Sequence, residues 1–387
     1  MKNFEFWNPT KIIFGQDTIS QIGQEAQKFG KKALLVYGKS SIKQNGVYDK
    51  VLKSLRAAQL EVVEFSGVKS NPVLSHVQKG IAYAKQKQVD LIVTVGGGSV
   101  IDTGKAIAAG AKTDRDVWDF YIYQATIEDA LPVLAVLTLA ATGSEMNFTS
   151  VLTNEATQQK YAIDTPWIFP KVSILDPTTT YSVPKNYTAY GAIDIISHAT
   201  EGYFTCEDTW TPIQDRFTEG LVKTVMECTE TLLKTPTDYQ ARATIMWAST
   251  LALNGLLTAG IGYYEFPTHM IEHSLSSMYD IAHGAGLSIV TPGWMKYMCQ
   301  QSPTRFAQFA KRIFGIHEDS TAKTAEKGIE MLKAWFEKIG GPTTLSAGNI
   351  PAEEIPQIAA NAEQAAILWK LKGYTQEVII EILNLCR

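Results

Sequence analysis

Over the first 180 or so residues, short β-branched and aliphatic runs alternate with stretches in which apolar residues recur every three or four positions. ALLVYG at 33–38, EVVEF at 61–65, DLIVTVGGG at 90–98, LPVLAVLT at 131–138 and VSILD at 172–176 have the length and composition of strands. GVYDKVLKSLRAAQ and LSHVQKGIAYAKQKQ, which lie between them, carry helical spacing. Such alternation predicts βαβ units around a mostly parallel, Rossmann-like sheet. Pro177 and Pro184 bracket the turn-rich segment DPTTTYSVP, after which strand-like runs almost vanish and the chain reads as helix from about Asn186 onward. The pattern predicts two domains: residues 1–182 as an α/β domain and residues 183–387 as an all-helical domain.

The 387 residues are 45% hydrophobic and 19% charged, ample for a large core. The formal charge of −4 and the lack of any basic stripe exclude the electrostatic footprint of a nucleic-acid binder. A small-molecule ligand is the expected partner. MKNFEFWNPTKIIFG has no apolar core of signal-peptide length, and no apolar run reaches the roughly 18 residues of a membrane span, so a soluble, cytoplasmic protein without membrane association is expected. The four cysteines are scattered, as expected of reduced thiols.

Within VTVGGGSVIDTGKAIA, 93–108, an apolar strand runs through Gly96, Gly97, Gly98 and Ser99 into a helix. Glycines let the backbone approach a ligand closely, and the N–H groups at a helix start favour an anion such as a pyrophosphate. The spacing is neither G-x-G-x-x-G nor a P-loop. Asp102 has two readings, a ligand contact or a brace for the turn. Two further loops follow strands: YGKSSIKQNG at 37–46, with Gly38, Lys39, Ser40 and Ser41, and TLAATGSEMN at 138–147, with Thr138, Ser144 and Asn147. Loops at the carboxyl ends of a doubly wound sheet line one ligand crevice. The first loop has no acid near its tip to hold a ribose 2′-hydroxyl but offers Lys39, Ser40, Ser41 and Lys43, the cations and hydroxyl donors that a 2′-phosphate calls for.

Four of the six histidines, His198, His269, His273 and His283, fall early in the helical half. Asp194 and His198 are i and i+4 on one helical face, as are His269 and His273. One carboxylate and up to four imidazoles suit a single Fe²⁺ or Zn²⁺ ion with an open position for substrate. Spacing alone leaves a competing chelate by His269 and His273 open. His76 and His317 are expected at the surface.

NPTKIIFG at 8–15, GGGSVIDTGKAIA at 96–108, TLAATGSEMN, AIDIISHATEGYF at 192–204 and HMIEHSLSSMYDIAHGAG at 269–286 together resemble the iron-containing, group III alcohol dehydrogenases, specifically the butanol dehydrogenase-like aldehyde reductases. The resemblance spans essentially the whole chain. It implies a dehydroquinate synthase-like architecture, with residues 1–182 as the dinucleotide-binding domain, residues 183–387 as the metal- and substrate-binding domain and the metal and substrate in the cleft between them. It also implies a homodimer with the N-terminal strand region near its interface, and reversible hydride transfer between NAD(P)(H), NADP(H) being favoured over NAD(H) by the 37–46 loop, and a primary alcohol or aldehyde. The family's metal ligands fall on Asp194, His198, His269 and His283, with His273 beside the metal as a candidate catalytic proton relay. The expected cofactor set is Gly38, Lys39, Ser40, Ser41, Asn71, Gly97, Gly98, Ser99, Asp102, Thr138, Ser144, Asn147 and Lys160. Ser274 stands where many members carry Pro, and LAATGSE replaces the common TAGTGSE. An alternative on the same fold is a sugar-phosphate cyclase of the dehydroquinate synthase type. It needs cationic side chains near the metal, whereas residues 186–290 offer Tyr, Trp, Phe and Met. Tyr203, Phe204, Tyr263, Tyr264 and Phe266 are expected to wall a pocket for an aliphatic or aromatic aldehyde.

Overall fold

The structure is a computed structural model that describes residues 1–207 and 210–387. Its contacts group into two compact units, one of residues 7–183 and 236–254 and the other of residues 1–6, 184–235 and 255–387.

The first unit is built on a parallel sheet of β1 (Lys11–Phe14), β2 (Lys32–Tyr37), β3 (Glu61–Phe65), β4 (Leu91–Gly96), β5 (Val133–Leu137) and β8 (Val172–Leu175), in the spatial order β1-β8-β5-β4-β2-β3. An antiparallel hairpin, β6 (Thr149–Asn154) with β7 (Gln159–Asp164), stands apart from it. Helices α1 (Ile22–Ala26), α2 (Ser41–Gln44), α3 (Val47–Ala57), α4 (Leu74–Lys87), α5 (Gly98–Gly110) and α6 (Trp118–Tyr121) join the strands, and α9 (Tyr239–Ala252) returns to this unit from far down the chain. β4 and β5 are buried along their whole length and β2 nearly so, which is why they read as unbroken apolar runs rather than alternating ones. In α3 the buried positions Val47, Val51, Leu52 and Leu55 form one stripe facing Leu35, Val93 and Val136.

The chain steps from β2 outward to β3, then crosses to the other side of β2 and steps outward again through β4, β5 and β8. The reversal falls between β2 and β4, and in open α/β sheets ligands bind outside the carboxyl ends of the strands at that point. The two loops singled out in the sequence, 37–46 and 96–99, leave those two strands.

The second unit holds α7 (Lys185–Thr205), α8 (Pro212–Lys234), α10 (Pro267–Tyr279), α11 (His283–Gln301), α12 (Thr304–Phe309), α13 (Thr321–Lys338), α14 (Ile355–Leu368) and α15 (Gln376–Asn384). α7 is buried on nearly every side from Thr188 to Tyr203, the signature of a central helix. Its exposed carbonyl end is closed by Arg305 of α12. That guanidinium donates to the Tyr203 carbonyl oxygen at 3.0 and 2.7 Å and forks onto Asp215 at 2.9 and 2.8 Å.

His76 departs from its expected surface place. Its ring lies 4.5 Å from that of Phe65, with Nε2 buried, because α4 packs this face against β3. His317 is exposed.

Candidate functional site

In the helical unit, α7 carries Asp194 and His198 one turn apart, α10 carries His269 and His273 one turn apart, and His283 opens α11. Asp194 Oδ1 is the common centre. It lies 3.4 Å from His198 Nδ1, 3.5 Å from His283 Nε2 and 3.7 Å from His269 Nε2. The His198 and His269 rings stack at 4.4 Å. Asp194 Oδ1, His198 Nδ1 and His269 Nε2 are buried and have no hydrogen-bond partner among the described residues. Buried polar atoms are almost always satisfied, so three orphans pointing at one spot call for a missing partner.

The charges at this spot are mixed. Burial favours the neutral acid at Asp194, yet the imidazoles of His198 and His283 hold its carboxyl well below the usual carboxylate range. Burial, with His269 and His283 nearby, pulls His198 down to about 3, leaving a neutral ring with a lone pair to give. Burial works against protonation of His269 as well, but the Glu201 carboxylate and then Asp194 hold it up to about 9.

Two carboxylates that sequence reasoning missed stand behind these rings. Glu201, only 2% exposed, accepts from His269 Nδ1 at 2.9 Å, and its other oxygen accepts the backbone N–H groups of Thr268 at 2.5 Å and His269 at 3.2 Å. It therefore caps the first turn of α10 while gripping the imidazole. Glu272, fully buried, pairs with His283 Nδ1 and with Ser276 Oγ. The signal available in the sequence was a pair of acids set inside otherwise apolar helices. Glycines make the packing possible: a Cβ on Gly284 would sit 2.1 Å from the Tyr190 carbonyl oxygen, and one on Gly286 would sit 2.5 Å from Glu272 Oε1. His273 is buried, its ring 5.6 Å from that of His283 and 5.4 Å from that of Trp369.

In the α/β unit, Gly97, Gly98 and Ser99 form the turn from β4 into α5, and the Thr138 N–H bonds back to Gly96 at 3.0 Å. A Cβ on Gly98 would meet Thr142 Oγ1 at 2.2 Å, so the two loops touch through that glycine. Gly38, Lys39, Ser40 and Ser41 follow β2, the last three exposed. A backbone bond from Thr153 N–H to the Pro72 carbonyl docks the hairpin on the segment before α4, and this brings Lys160 Nζ to 3.3 Å from Asn71 Oδ1. Asp102 is turned inward. Its oxygens accept from Ser144 Oγ at 2.6 Å and Val151 N–H at 3.2 Å, an arrangement that braces the 144–151 segment. Ser144 and Asn147 are buried against Lys105, a residue not singled out in the sequence, whose ammonium reaches Ser144 Oγ, both oxygens of Asn147 and the Thr149 carbonyl at 2.8–3.0 Å.

Lys43 is exposed and lies over the Tyr37 and Tyr48 rings at 5.2 and 4.6 Å, where the π faces attract it. One expectation is corrected. Tyr203 and Phe204 do not wall a pocket. The Tyr203 hydroxyl bonds to Glu219 and Phe204 stacks on Phe306 at 4.7 Å, the ordinary fate of aromatics in a helical core. Phe266 does lie edge-on to His269 at 5.5 Å, with Tyr264 next to it.

The profile described as iron-containing alcohol dehydrogenase matches residues 9–177, and that of the Fe-containing alcohol dehydrogenase C-terminal region matches residues 188–386. The chain belongs to this family. It is 44% identical over 386 residues to the "Probable NADH-dependent butanol dehydrogenase 1" of Bacillus subtilis, covering 99% of each chain. It is 35% identical to the "NADPH-dependent aldehyde reductase YqhD" of Escherichia coli, covering 94% of each. The crystal structure titled NADH-dependent butanol dehydrogenase A from Thermotoga maritima superimposes with a TM-score of 0.96 at 46% identity, covering 100% of this chain and 99% of that one. The chain is an NAD(P)-dependent oxidoreductase of the alcohol and aldehyde type, and its family implies a divalent metal. The cyclase alternative is not favoured by these relatives. No helix among the described residues is long and apolar enough to cross a membrane.

Proposed function

We propose that the protein is a butanol dehydrogenase-like aldehyde reductase, with one divalent ion, Fe²⁺ or Zn²⁺, held by Asp194, His198, His269 and His283. The observation that carries this is the spacing of the donor atoms. Ligands about 2.1 Å from a tetrahedral ion lie about 3.4 Å from one another, and the three Asp194–histidine separations are 3.4, 3.5 and 3.7 Å. When bound, the ion supplies Lewis acidity at the substrate oxygen. The chain's own work is to keep His198 neutral, to orient the other two imidazoles, and to offer His273, buried one turn along α10 from His269, as a proton relay.

NADP(H) is the favoured cofactor. The acid that the sheet brings to the Gly38–Ser41 edge, Glu64 on β3, has its oxygens engaged by the Tyr37 and Tyr48 hydroxyls at 2.7 and 2.8 Å. It is therefore not offered to a ribose 2′-hydroxyl, while Lys39, Ser40 and Ser41 are open to a 2′-phosphate. The homodimer reading is supported by β1, an edge strand that ends in exposed Phe14 and is preceded by exposed Trp7. For the substrate we infer an unbranched aldehyde, with Phe266 and Tyr264 as apolar surface near the metal ligands.

Each buried methylene contributes on the order of 0.8 kcal/mol, so kcat/KM should rise roughly fourfold per carbon from acetaldehyde to butanal. The test is that series run on metal-loaded protein with NADPH, alongside a phosphorylated sugar. Efficiency that is flat from two carbons to four, or turnover confined to the phosphorylated sugar, would reject the reading.

A further inference from the structure

Two of the histidines at the centre are each gripped from behind by a buried carboxylate, and the two grips are alike. His269 offers Nδ1 to Glu201 at 2.9 Å and His283 offers Nδ1 to Glu272, while both rings aim Nε2 at Asp194 Oδ1, at 3.7 and 3.5 Å. Glu201 and Glu272 are 2% and 0% exposed. We infer that Glu201 and Glu272 are a matched pair of positioning residues that fix the Nδ1–H tautomer of His269 and His283, so that both Nε2 lone pairs face the ion. The inference rests on the metal reading above.

The chemistry follows from the imidazole. A neutral ring has one N–H and one lone pair, and a carboxylate that accepts at Nδ1 forces the lone pair onto Nε2. The acceptor's charge also makes that lone pair more basic toward a cation. Each acid is held by further bonds, Glu201 by the Thr268 hydroxyl and two α10 N–H groups and Glu272 by Ser276, so neither swings away when the ring is pulled. The two grips reach the centre from different elements. Glu201 on α7 ties itself to the start of α10, whereas Glu272 on α10 holds the first residue of α11.

A competing arrangement exists. Glu272, His273 and His283 also lie close enough to form a donor group of their own, and in that case Glu272 would be a ligand of a second ion. Its Ser276 bond and full burial favour the positioning role.

The experiment uses the full chain in metal-loaded form. Zinc per chain is measured by elemental analysis, zinc affinity by competition with a chromophoric chelator, and ligand geometry by the visible spectrum after cobalt substitution. Wild type should hold one ion, and E201Q and E272Q should each bind zinc about 10–100-fold more weakly with altered cobalt bands. Nitrogen-15 correlation spectra of the zinc-loaded wild type should show the Nδ1 protons of His269 and His283 shifted downfield and slow to exchange, as hydrogen bonds to buried carboxylates require, a readout that stands even where a variant does not fold. Unchanged affinity and cobalt spectra in both variants, or Nδ1 protons without that hydrogen-bond signature, would overturn the positioning role while leaving the metal centre intact, whereas protons on Nε2 would take both rings off the ion and overturn the metal reading as well. Two ions in wild type and one in E272Q would make Glu272 a ligand and overturn its part. A wild type that retains no ion would take down the metal reading together with this one.

Discussion

Replacing Gly284 with Ala perturbs the candidate centre without touching a donor atom. The added Cβ would lie 2.1 Å from the Tyr190 carbonyl oxygen and 2.7 Å from its carbon, both backbone atoms of α7 that no rotamer change can move. A carbon settles no closer than about 3.3 Å to a carbonyl oxygen, so α11 must retreat from α7 by roughly 1 Å at this point. His283 is the preceding residue, and its Nε2 is 3.5 Å from Asp194 Oδ1 on α7. Metal sites tolerate errors of about 0.2 Å in donor distance, several times less than that retreat. Overpacking of this kind costs about 1–3 kcal/mol, which for a unit of this size lowers Tm by roughly 2–12 °C. Zinc affinity should fall by at least the 10–100-fold that a disturbed supporting shell costs. The assays are chelator competition and thermal unfolding of the metal-free and zinc-loaded protein, with Gly220→Ala as control. Gly220 lies in α8 of the same unit, a Cβ there meets nothing within 4 Å, and the control should gain about 0.5–1 kcal/mol of helix stability. If G284A matched wild type in zinc affinity and melting, the claim that the α7–α11 approach sets the position of His283 would fail.

Two further outcomes are expected. Lys105→Met removes the cation from four buried acceptors around Ser144, Asn147 and Thr149, so urea unfolding should show a loss of about 3–5 kcal/mol, and a loss under about 1 kcal/mol would mean that the ammonium does not organise this loop. Lys39→Ala should raise KM for NADPH on the order of tenfold through loss of a charge-assisted bond while leaving KM for NADH nearly unchanged; equal effects on both, or a lower wild-type KM for NADH, would reject the 2′-phosphate assignment.

Most of what the hydrophobic pattern carries was legible. The five strands read from apolar runs form the sheet together with β1, and helix begins within a residue of the expected place. Burial on both faces leaves a plain mark in the text, as LIVTVG and VLAVL show. The hairpin of β6 and β7 was not among the strands read, since TSVLTN and QKYAID are polar enough to pass for loop. At the candidate centre the i, i+4 pairs placed donors on common faces, and the family resemblance selected among them. Glu201, Glu272 and Lys105 stayed hidden because their partners, His269, His283 and Asn147, lie 68, 11 and 42 residues away.

The return of α9 to the α/β unit bears on how the chain folds as it leaves the ribosome. By the time Val183 has emerged, every strand of the sheet is made, yet the unit still lacks residues 236–254. Glu145, fully buried, waits for the Thr250 hydroxyl that bonds it at 2.5 Å, and the Gly143 turn waits for the backbone of Ser249. More than fifty residues of the other unit must be synthesised before that partner arrives. The amino-terminal half is therefore not a folding unit that can finish alone, and the buried Glu145 gains its Thr250 hydrogen bond only during translation of the second half. Neither half completes before the other has begun, an order of events that discourages a lone α/β half from accumulating.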